Sequence, residues 1–202
     1  STFGTMAIVD VISSNEIPTV SPSATAAVVT DAEDKDFLFR TCPSDTLQGA
    51  AMARVAIDKG YKTAATISRN DAYGVGLEEE FSQTFEKLGG EVLNKPRYDP
   101  EGAKFDSYLR KAAEGDPDVI SLHGLMEDGV RILKTAAELG ITENINFLAS
   151  EGVQNPEIPD EVGKNSEGEY VVWSADVGGA TPYPIGGGPF DEAYEEEYGK
   201  KP

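Results

Sequence analysis

Strand-like and helix-like segments alternate along the chain from Thr41 to Ser150. Parallel strands need long crossover connections, which are usually helices, so this alternation is typical of a parallel sheet flanked by helices. The helices are predicted from apolar residues at helical spacing, and the strands from short runs bounded by turn residues. The middle of the chain is therefore predicted to form one compact α/β unit.

Four strands are predicted in this unit, and the third has the apolar composition of a buried central strand. They are Thr63–Ser68, Glu91–Leu93, Asp118–Leu122 and Ile145–Ala149. Four helices are predicted from their apolar stripes. The predicted stripes are Leu47, Ala51 and Val55 in helix Asp45–Lys59; Leu77, Phe81, Phe85 and Leu88; Phe105, Leu109 and Ala112 in helix Lys104–Glu114; and Val130, Leu133 and Ala137. The first helix opens with Asp45-Thr46-Leu47-Gln48, which has the spacing of a capping box.

The segments on either side of this unit are expected to belong to another lobe. They comprise a helix at Met6–Asn15, a strand at Ile17–Ser21, a Gly- and Pro-rich linker or loop at Gly178–Pro189 and a helix at Phe190–Tyr198, whereas a strand at Tyr170–Ser174 is predicted at the end of the middle unit. The predicted division is 1–42 as part of lobe 1, 43–174 as lobe 2 and 175–202 as the return to lobe 1. Both ends of the chain are expected to be cut from a longer protein.

The acidic composition argues against polyanionic partners. With 36 acidic and 17 basic residues, the formal net charge is −19 at pH 7, which repels nucleic acid and an anionic membrane surface. No apolar run approaches the ~18 residues of a membrane span. One cysteine, Cys42, and one histidine, His123, cannot build a disulfide framework or a Cys/His zinc site. A soluble protein without a metal or other cofactor is expected.

An α/β enzyme is the alternative from a different class of function. It would need an activated nucleophile, a phosphate-cradling glycine loop or a carboxylate pair with separated pKa values. The glycines 186–188 are followed by a proline and no lysine, and Tyr73-Gly74-Val75-Gly76 lacks a third glycine at dinucleotide spacing. His123 follows the central strand without a serine or cysteine motif to partner it, so we expect it to line a pocket rather than to act chemically.

Four polar loop residues suggest where a ligand binds: Thr25, Asp45, Tyr73 and Glu151 each follow a strand-like run. Such loops meet at the carboxyl ends of the strands of an α/β sheet, where ligands bind. Two carboxylates beside hydroxyl groups suit a zwitterion, because hydroxyls and helix-start N–H groups bind an anion and carboxylates bind a cation. From the residues alone, Asp45 is equally well a helix N-cap, Tyr73 a packed turn residue and Glu151 a solvated charge.

Seven short segments also occur in a fixed order. They are Ile17–Thr25, Phe39–Thr41, Asp45 with Gln48-Gly49, Asp71–Gly76, Asp116–Ile120, Glu138–Gly140 and Glu151–Val153. In this order they resemble the type I periplasmic binding protein family, and within it the branched-chain amino-acid (leucine, isoleucine and valine) solute-binding proteins of ABC transporters. The resemblance covers nearly the whole chain. It implies two α/β lobes of parallel sheets flanked by helices, with a ligand cleft between them that closes about a hinge.

In the first lobe, the resemblance implies four ligand-binding residues. Thr25 would bind the ligand through its hydroxyl and backbone, beside the backbone of Ser23. Ser1 and Thr2 would fall in a turn that binds the ligand carboxylate.

In the second lobe, the resemblance implies that Asp45 and Glu151 hold the α-ammonium group and that Tyr73 covers the ligand. Leu125 stands where the family has an aromatic residue, which leaves the preferred side chain open. The function implied is capture of an amino acid and its delivery to an ABC transporter permease, in the periplasm or outside the cell, with a lipid anchor left open. A sensor or carrier of the same fold for amides, urea or aromatic acids is the related alternative.

Overall fold

Two parallel sheets form the framework of the structure, which is a computed structural model describing residues 1–102, 104–153, 170–171, 195–196 and 198–199. The smaller sheet pairs β1 (Thr19–Ser21) with β2 (Leu38–Arg40). The larger sheet has six strands: β3 (Thr63–Arg69), β4 (Glu91–Asn94), β5 (Arg97–Tyr98), β6 (Val119–His123), β7 (Asn146–Ala149) and β8 (Tyr170–Val171). All of these pairings are parallel, so the α/β fold class predicted from the sequence is confirmed.

The larger sheet has the strand order β4-β3-β6-β7-β8, and β5 continues the edge beside β3. Strand β6 lies between β3 and β7, and all five of its residues are buried. A parallel strand covered on both faces is apolar nearly throughout, which explains why the run Asp118–Leu122 indicates a central strand. The carboxyl ends of β3 and β6 are adjacent because Ser68 is paired with His123.

The described part of the chain contains the helices α1 (Thr2–Ala7), α2 (Val9–Asn15), α3 (Asp45–Asp58), α4 (Ala72–Lys87), α5 (Asp106–Ala113) and α6 (Met126–Glu138). Helices α3 to α6 cover the two faces of the larger sheet. On one face, Met52 of α3 and Phe81 of α4 pack in a cluster with Val119. On the other face, Leu109 of α5 and Leu133 of α6 pack in a cluster with Ile120. Neighbouring residues of β6 therefore serve opposite faces, as the alternation of side chains in a strand requires.

Helix α3 differs from its prediction in both its start and its buried face. Ser44 is the N-cap, and its Oγ accepts from the Thr46 N–H, so the capping box starting at Asp45 is wrong. Leu47 is 60% exposed; the buried residues are Asp45, Gln48, Gly49, Met52, Ala53 and Ala56. The close approach of α4 explains the difference, because a Cβ added at Gly49 would lie 2.6 Å from Glu80 Cβ. Small residues pack there in place of leucine.

Other boundaries shift by smaller amounts. The single helix predicted at Met6–Asn15 is two helices, α1 and α2, separated at Ile8. In α6 the buried face is centred on Ile132, Leu133 and Ala136, so Val130 and Ala137 are only half-buried. In α4 the stripe Leu77, Phe81 and Phe85 is buried as predicted, and Leu88 is half-buried. The predictions for 172–174, for Gly178–Pro189 and for most of Phe190–Tyr198 lie outside the described residues, and the division into lobes stays a prediction.

Candidate functional site

A pocket of about 650 Å³ lies at the carboxyl ends of the strands, within the size range of small-molecule sites. Its walls come from α1 and from the segments that follow β1, β3, β5, β6 and β7. The lining residues are Ser1, Thr2, Phe3, Met6, Ser23, Thr25, Arg69, Asp71, Ala72, Tyr73, Pro100, Glu101, Leu125 and Glu151. Apolar side chains make up much of this wall, and the segments after β3, β5 and β7 each contribute one acidic side chain: Asp71, Glu101 and Glu151.

The pocket brings together seven of the eight residues predicted from the sequence. These are Ser1, Thr2, Ser23, Thr25, Tyr73, Leu125 and Glu151. Asp45 is the exception: its side chain is fully buried, and it lies outside the described lining. Its backbone N–H donates to the Thr25 carbonyl oxygen at 2.8 Å. Asp45 therefore lies behind the wall, directly next to the residue that forms it.

The hydroxyl-rich side of the pocket is formed by the start of α1 and the loop after β1. Ser1 caps α1, with its Oγ accepting from the Gly4 N–H at 3.4 Å. Thr2 is buried, and its Oγ1 accepts from the Ala26 N–H at 3.4 Å. Since this bond ties α1 to the loop that carries Thr25, hydroxyls that are distant in sequence face one cavity.

Arg40 of β2 holds that loop in place. Its Nη1 donates to the carbonyl oxygens of Ala24 (3.3 Å), Thr25 (3.2 Å) and Ala26 (3.0 Å), and its Nη2 donates to the Thr30 hydroxyl. This role is absent from the sequence-based prediction. The only signal of it is the segment Phe39–Thr41, which contributes to the family resemblance without revealing what the guanidinium does.

The opposite side of the pocket joins α4 to the segment after β7. Tyr73 lies in the first turn of α4, where Asp71 is the N-cap and accepts from the Tyr73 and Gly74 N–H groups. The Tyr73 hydroxyl donates to Glu151 Oε2 at 3.0 Å and lies 3.2 Å from Ser150 Oγ. Burial and the charge of Glu151 raise the pKa of Tyr73 well above its ordinary value, so its phenol stays neutral.

A glycine makes this contact sterically possible. A Cβ added at Gly152 would lie 2.4 Å from the Gly124 carbonyl oxygen and 2.7 Å from the Tyr73 hydroxyl oxygen. Real Cβ atoms do not approach other atoms that closely. Gly152 therefore allows the segment after β7 to pack against both the end of β6 and Tyr73.

Asp45 is the electrostatically unusual group of the site. Neither of its carboxyl oxygens has a hydrogen-bond partner within 3.5 Å among the residues that the structure describes. Burial, and then repulsion by Glu151, raise the pKa of Asp45 to about 7, while the nearby Thr25 hydroxyl and Arg40 act in the opposite direction. A buried carboxyl without a partner is costly when ionised, so this group is suited to meet a positively charged group of a ligand.

Arg69 adds an ion-pair network to the wall. Its Nε lies 2.7 Å from Asp71 Oδ2, and its Nη1 lies 2.6 Å from Asp128 Oδ2. Asp128 is buried, and it also accepts from the Tyr98 hydroxyl at 3.2 Å. From the sequence, Asp71 and Asp128 are simply charges at helix starts; the structure shows that both also fix the guanidinium beside the pocket.

His123 does not line the pocket, so that expectation is wrong. Its ring is fully buried between neighbouring strands, with Nδ1 3.1 Å from Ser68 Oγ and Nε2 2.8 Å from Ser121 Oγ. Burial lowers the pKa of His123 to about 3. It is a neutral core residue whose ring nitrogens are both occupied by serines.

Comparison with known proteins identifies the family. The family described as periplasmic binding protein matches residues 2–202. The chain belongs to the type I periplasmic binding proteins. A solved leucine-binding protein from Thermotoga maritima MSB8 is 30% identical, with a TM-score of 0.76, over 98% of this chain and 55% of that one.

One further relative of this periplasmic binding protein and one solved structure of similar fold bind different solutes. The leucine-, isoleucine-, valine-, threonine- and alanine-binding protein of Pseudomonas aeruginosa is 26% identical over 79% of this chain and 42% of its own length. A solute-binding protein from R. palustris in complex with benzoate has a TM-score of 0.77 at 22% identity, over 98% of this chain and 53% of that one, and so shares the fold. The resemblance to the branched-chain amino-acid-binding proteins is confirmed at the level of the family. The chain spans about half the length of these relatives.

Within its described part, this periplasmic binding protein contains no helix with the length and hydropathy needed to cross a membrane.

Proposed function

We propose that this chain belongs to an extracytoplasmic solute-binding protein of an ABC importer and that its pocket captures an amino acid. One observation carries the proposal: the fully buried carboxyl of Asp45 has no hydrogen-bond partner in the described structure and lies close enough to Glu151 to be affected by its charge. Two acidic groups of this kind favour a cationic group on the ligand.

The rest of the pocket matches the other parts of an amino acid. Hydroxyl groups of Thr2 and Thr25 would take the ligand carboxylate with the backbone of Ser23, and Ser1 also lines this part of the pocket. Tyr73 would cover the ligand. Met6, Pro100 and Leu125 offer apolar surface for the ligand side chain, which favours a branched-chain or similar amino acid.

The proposed role is capture and delivery. Lobe 1 would contain 1–42 and 175–202, and lobe 2 would contain 43–174. Ligand contacts from both lobes would stabilise a closed form, which a permease of the transporter would recognise. The protein would act in the periplasm or outside the cell, either free or lipid-anchored.

Aromatic acids are the second candidate class, because a benzoate complex of similar fold is known. A benzoate ion has no ammonium group, and it would leave the acidic pair without a counter-charge. Closing a dry pocket over unpaired acidic groups is unfavourable. The acidic pair therefore favours a ligand with an amine over benzoate, amides or urea. The burial of His123 away from the pocket likewise favours binding over turnover.

A thermal-shift and calorimetry screen tests this function. We expect L-leucine, L-isoleucine or L-valine to raise the melting temperature, and 4-methylpentanoate, which is leucine without its amine, to have no effect. Glu151→Gln should abolish the shift, whereas Glu86→Gln, which removes the same charge from an exposed position on α4, should preserve it. A response to benzoate alone would move the assignment to aromatic acids, and formation of a product would place the protein among enzymes.

A further inference from the structure

Asp45 and Glu151 are two neighbouring acidic groups at the pocket, and the amine of a ligand supplies them with a positive charge. We propose that Asp45 carries a proton in the empty protein and that the ammonium group of an incoming amino acid displaces it, so that binding is coupled to proton release. This inference rests on the proposed function, since it concerns the same pocket and requires an amine on the ligand.

The first argument is the isolation of the carboxyl group. Asp45 has no exposed surface, and neither of its oxygens accepts a well-formed hydrogen bond from a described residue; the nearby Thr25 hydroxyl only partly offsets the effect of burial on the pKa of Asp45. By contrast, the buried Asp128 accepts from Arg69 and Tyr98, and the buried Glu78 accepts two hydrogen bonds from Arg97. A carboxyl that is buried without donors is stabilised by taking up a proton.

The second argument is the charge around the carboxyl group. Glu151, in the segment after β7, repels a negative charge on Asp45, whereas the Thr25 hydroxyl and then Arg40 of β2 stabilise one. The Arg40 guanidinium is already engaged with three backbone carbonyls and the Thr30 hydroxyl. Tyr73 of α4 is neutral and donates to Glu151. With burial as the largest cause, these surroundings raise the pKa of Asp45 to about 7.

A ligand ammonium supplies the missing counter-charge. Before binding, the site holds a neutral Asp45 carboxylic acid and the Glu151 carboxylate. After binding, the ammonium group lies in the pocket beside Glu151 and Thr25, with its positive charge close to Asp45 behind that wall, and the proton of Asp45 has passed to the buffer. No bond other than this O–H bond breaks, and the total charge is conserved. Since an opposite charge stabilises the ionised form, the bound amino acid holds Asp45 deprotonated.

The sign of the pH dependence follows from this exchange. Well above pH 7 Asp45 is already ionised, and affinity is independent of pH. Below pH 7 the proton competes with the ammonium group, so affinity falls. For a single group that titrates near pH 7, the affinity at pH 6 should be about tenfold weaker than at pH 8. About half a proton should be released per ligand at pH 7, and close to one at pH 6.

Isothermal titration calorimetry with L-leucine tests the inference. The heats measured in phosphate and in Tris buffer differ by the number of protons released multiplied by the difference between the buffers' heats of protonation. Asp45→Asn should release no proton and bind with the same affinity at pH 6 and pH 8. Asp58→Asn, the same substitution at an exposed position on α3, should behave like the original protein. If Asp45→Asn does not fold, Glu151→Asp at the cluster should still move the midpoint of the pH profile.

The outcomes separate the two proposals. Leucine binding with equal heats in both buffers and a flat pH profile would overturn proton release and leave the amino-acid function standing. Binding of benzoate without any response to leucine, isoleucine or valine would overturn both. Proton release that persists in Asp45→Asn would assign the titrating group elsewhere and overturn the role of Asp45.

Discussion

Arg40 holds Thr25 in place through a hydrogen bond from its Nη1 to the Thr25 carbonyl oxygen (3.2 Å), and the same oxygen accepts the backbone N–H of Asp45 (2.8 Å). The loop after β1 and the start of α3 are thereby joined at one atom. Thr25 in the wall of the pocket and the buried Asp45 behind it are consequently held by the same carbonyl oxygen.

Replacing Arg40 should loosen this attachment. Arg40→Ala removes a charged donor from three carbonyls, and hydrogen bonds to charged groups contribute about 1.5–3 kcal/mol each, so the free energy of unfolding should fall by about 2 kcal/mol or more. Affinity for leucine should fall as well. Arg40→Lys keeps the positive charge but loses the planar guanidinium group. Its pH dependence of binding should be close to that of the original protein, whereas its affinity should stay lower. Urea unfolding and calorimetry measure these effects. Unchanged affinity in Arg40→Ala would show that the guanidinium does not position the loop.

The raised pKa of Asp45 should destabilise the folded protein as pH rises. Its pKa is 3.8 when unperturbed and about 7 in the folded protein, so folding takes up a proton between these values. The penalty is absent below pH 3.8, grows between pH 3.8 and 7, and reaches at most on the order of 4 kcal/mol above pH 7.

Asp45→Asn removes this penalty, because asparagine does not ionise. The variant should therefore gain free energy of unfolding over the original protein as pH increases from 4 to 8 in ligand-free buffer. Urea unfolding at a series of pH values measures the difference. The exposed Asp58→Asn is the matched control, and its free energy of unfolding should differ from that of the original protein by the same amount at every pH. A difference for Asp45→Asn that is likewise independent of pH would mean that Asp45 is ionised in the folded protein at all these pH values.

Gly152 should tolerate no side chain. In Gly152→Ala the new methyl group meets the Gly124 carbonyl and the Tyr73 hydroxyl, so the segment after β7 must shift at a cost of about 1–3 kcal/mol. Leucine binding should weaken at the same time, because Glu151 moves with that segment. Gly76→Ala in α4 is the control: nothing lies within 4 Å of its added Cβ, and alanine favours a helix by up to about 1 kcal/mol. Equal melting temperatures for the two variants would contradict the packing described for Gly152.

Breaking the ion pair between Arg69 and Asp128 should lower the free energy of unfolding, because the remaining partner is left unpaired. Asp128→Ala removes the acceptor of Arg69 and of the Tyr98 hydroxyl. Breaking a buried pair in this way costs about 3–5 kcal/mol, and the lower half of that range applies because Arg69 is partly exposed. Thermal unfolding checks the effect. Glu86→Gln, on an exposed part of α4, should leave the melting temperature within about 2 °C of the original.

Much of the fold was predictable from the sequence because its signals are local. Apolar spacing in Leu77, Phe81 and Phe85 marks a helix, and the run Asp118–Leu122 marks the central strand. The order of these elements leads to a parallel sheet, and the carboxyl ends of its strands then place Tyr73 and Glu151 near one another, whereas Thr25 follows a strand of the smaller sheet. The residues predicted to contact a ligand could be chosen on that basis.

Tertiary contacts decided which polar side chains are buried and paired, and hydrophobic periodicity carries no information about this. Asp45 looks like a cap in the sequence, but Ser44 is the cap, and the packing of α3 buries Asp45 without a partner. Arg40 and Thr25 are 15 residues apart, and Tyr73 and Glu151 are 78 apart. The sequence by itself determined the order and type of the elements, because hydrophobic spacing acts over one or two turns. The tertiary structure alone decided which polar groups are buried, which are paired and which are left for a ligand, because those properties depend on neighbours contributed by distant parts of the chain.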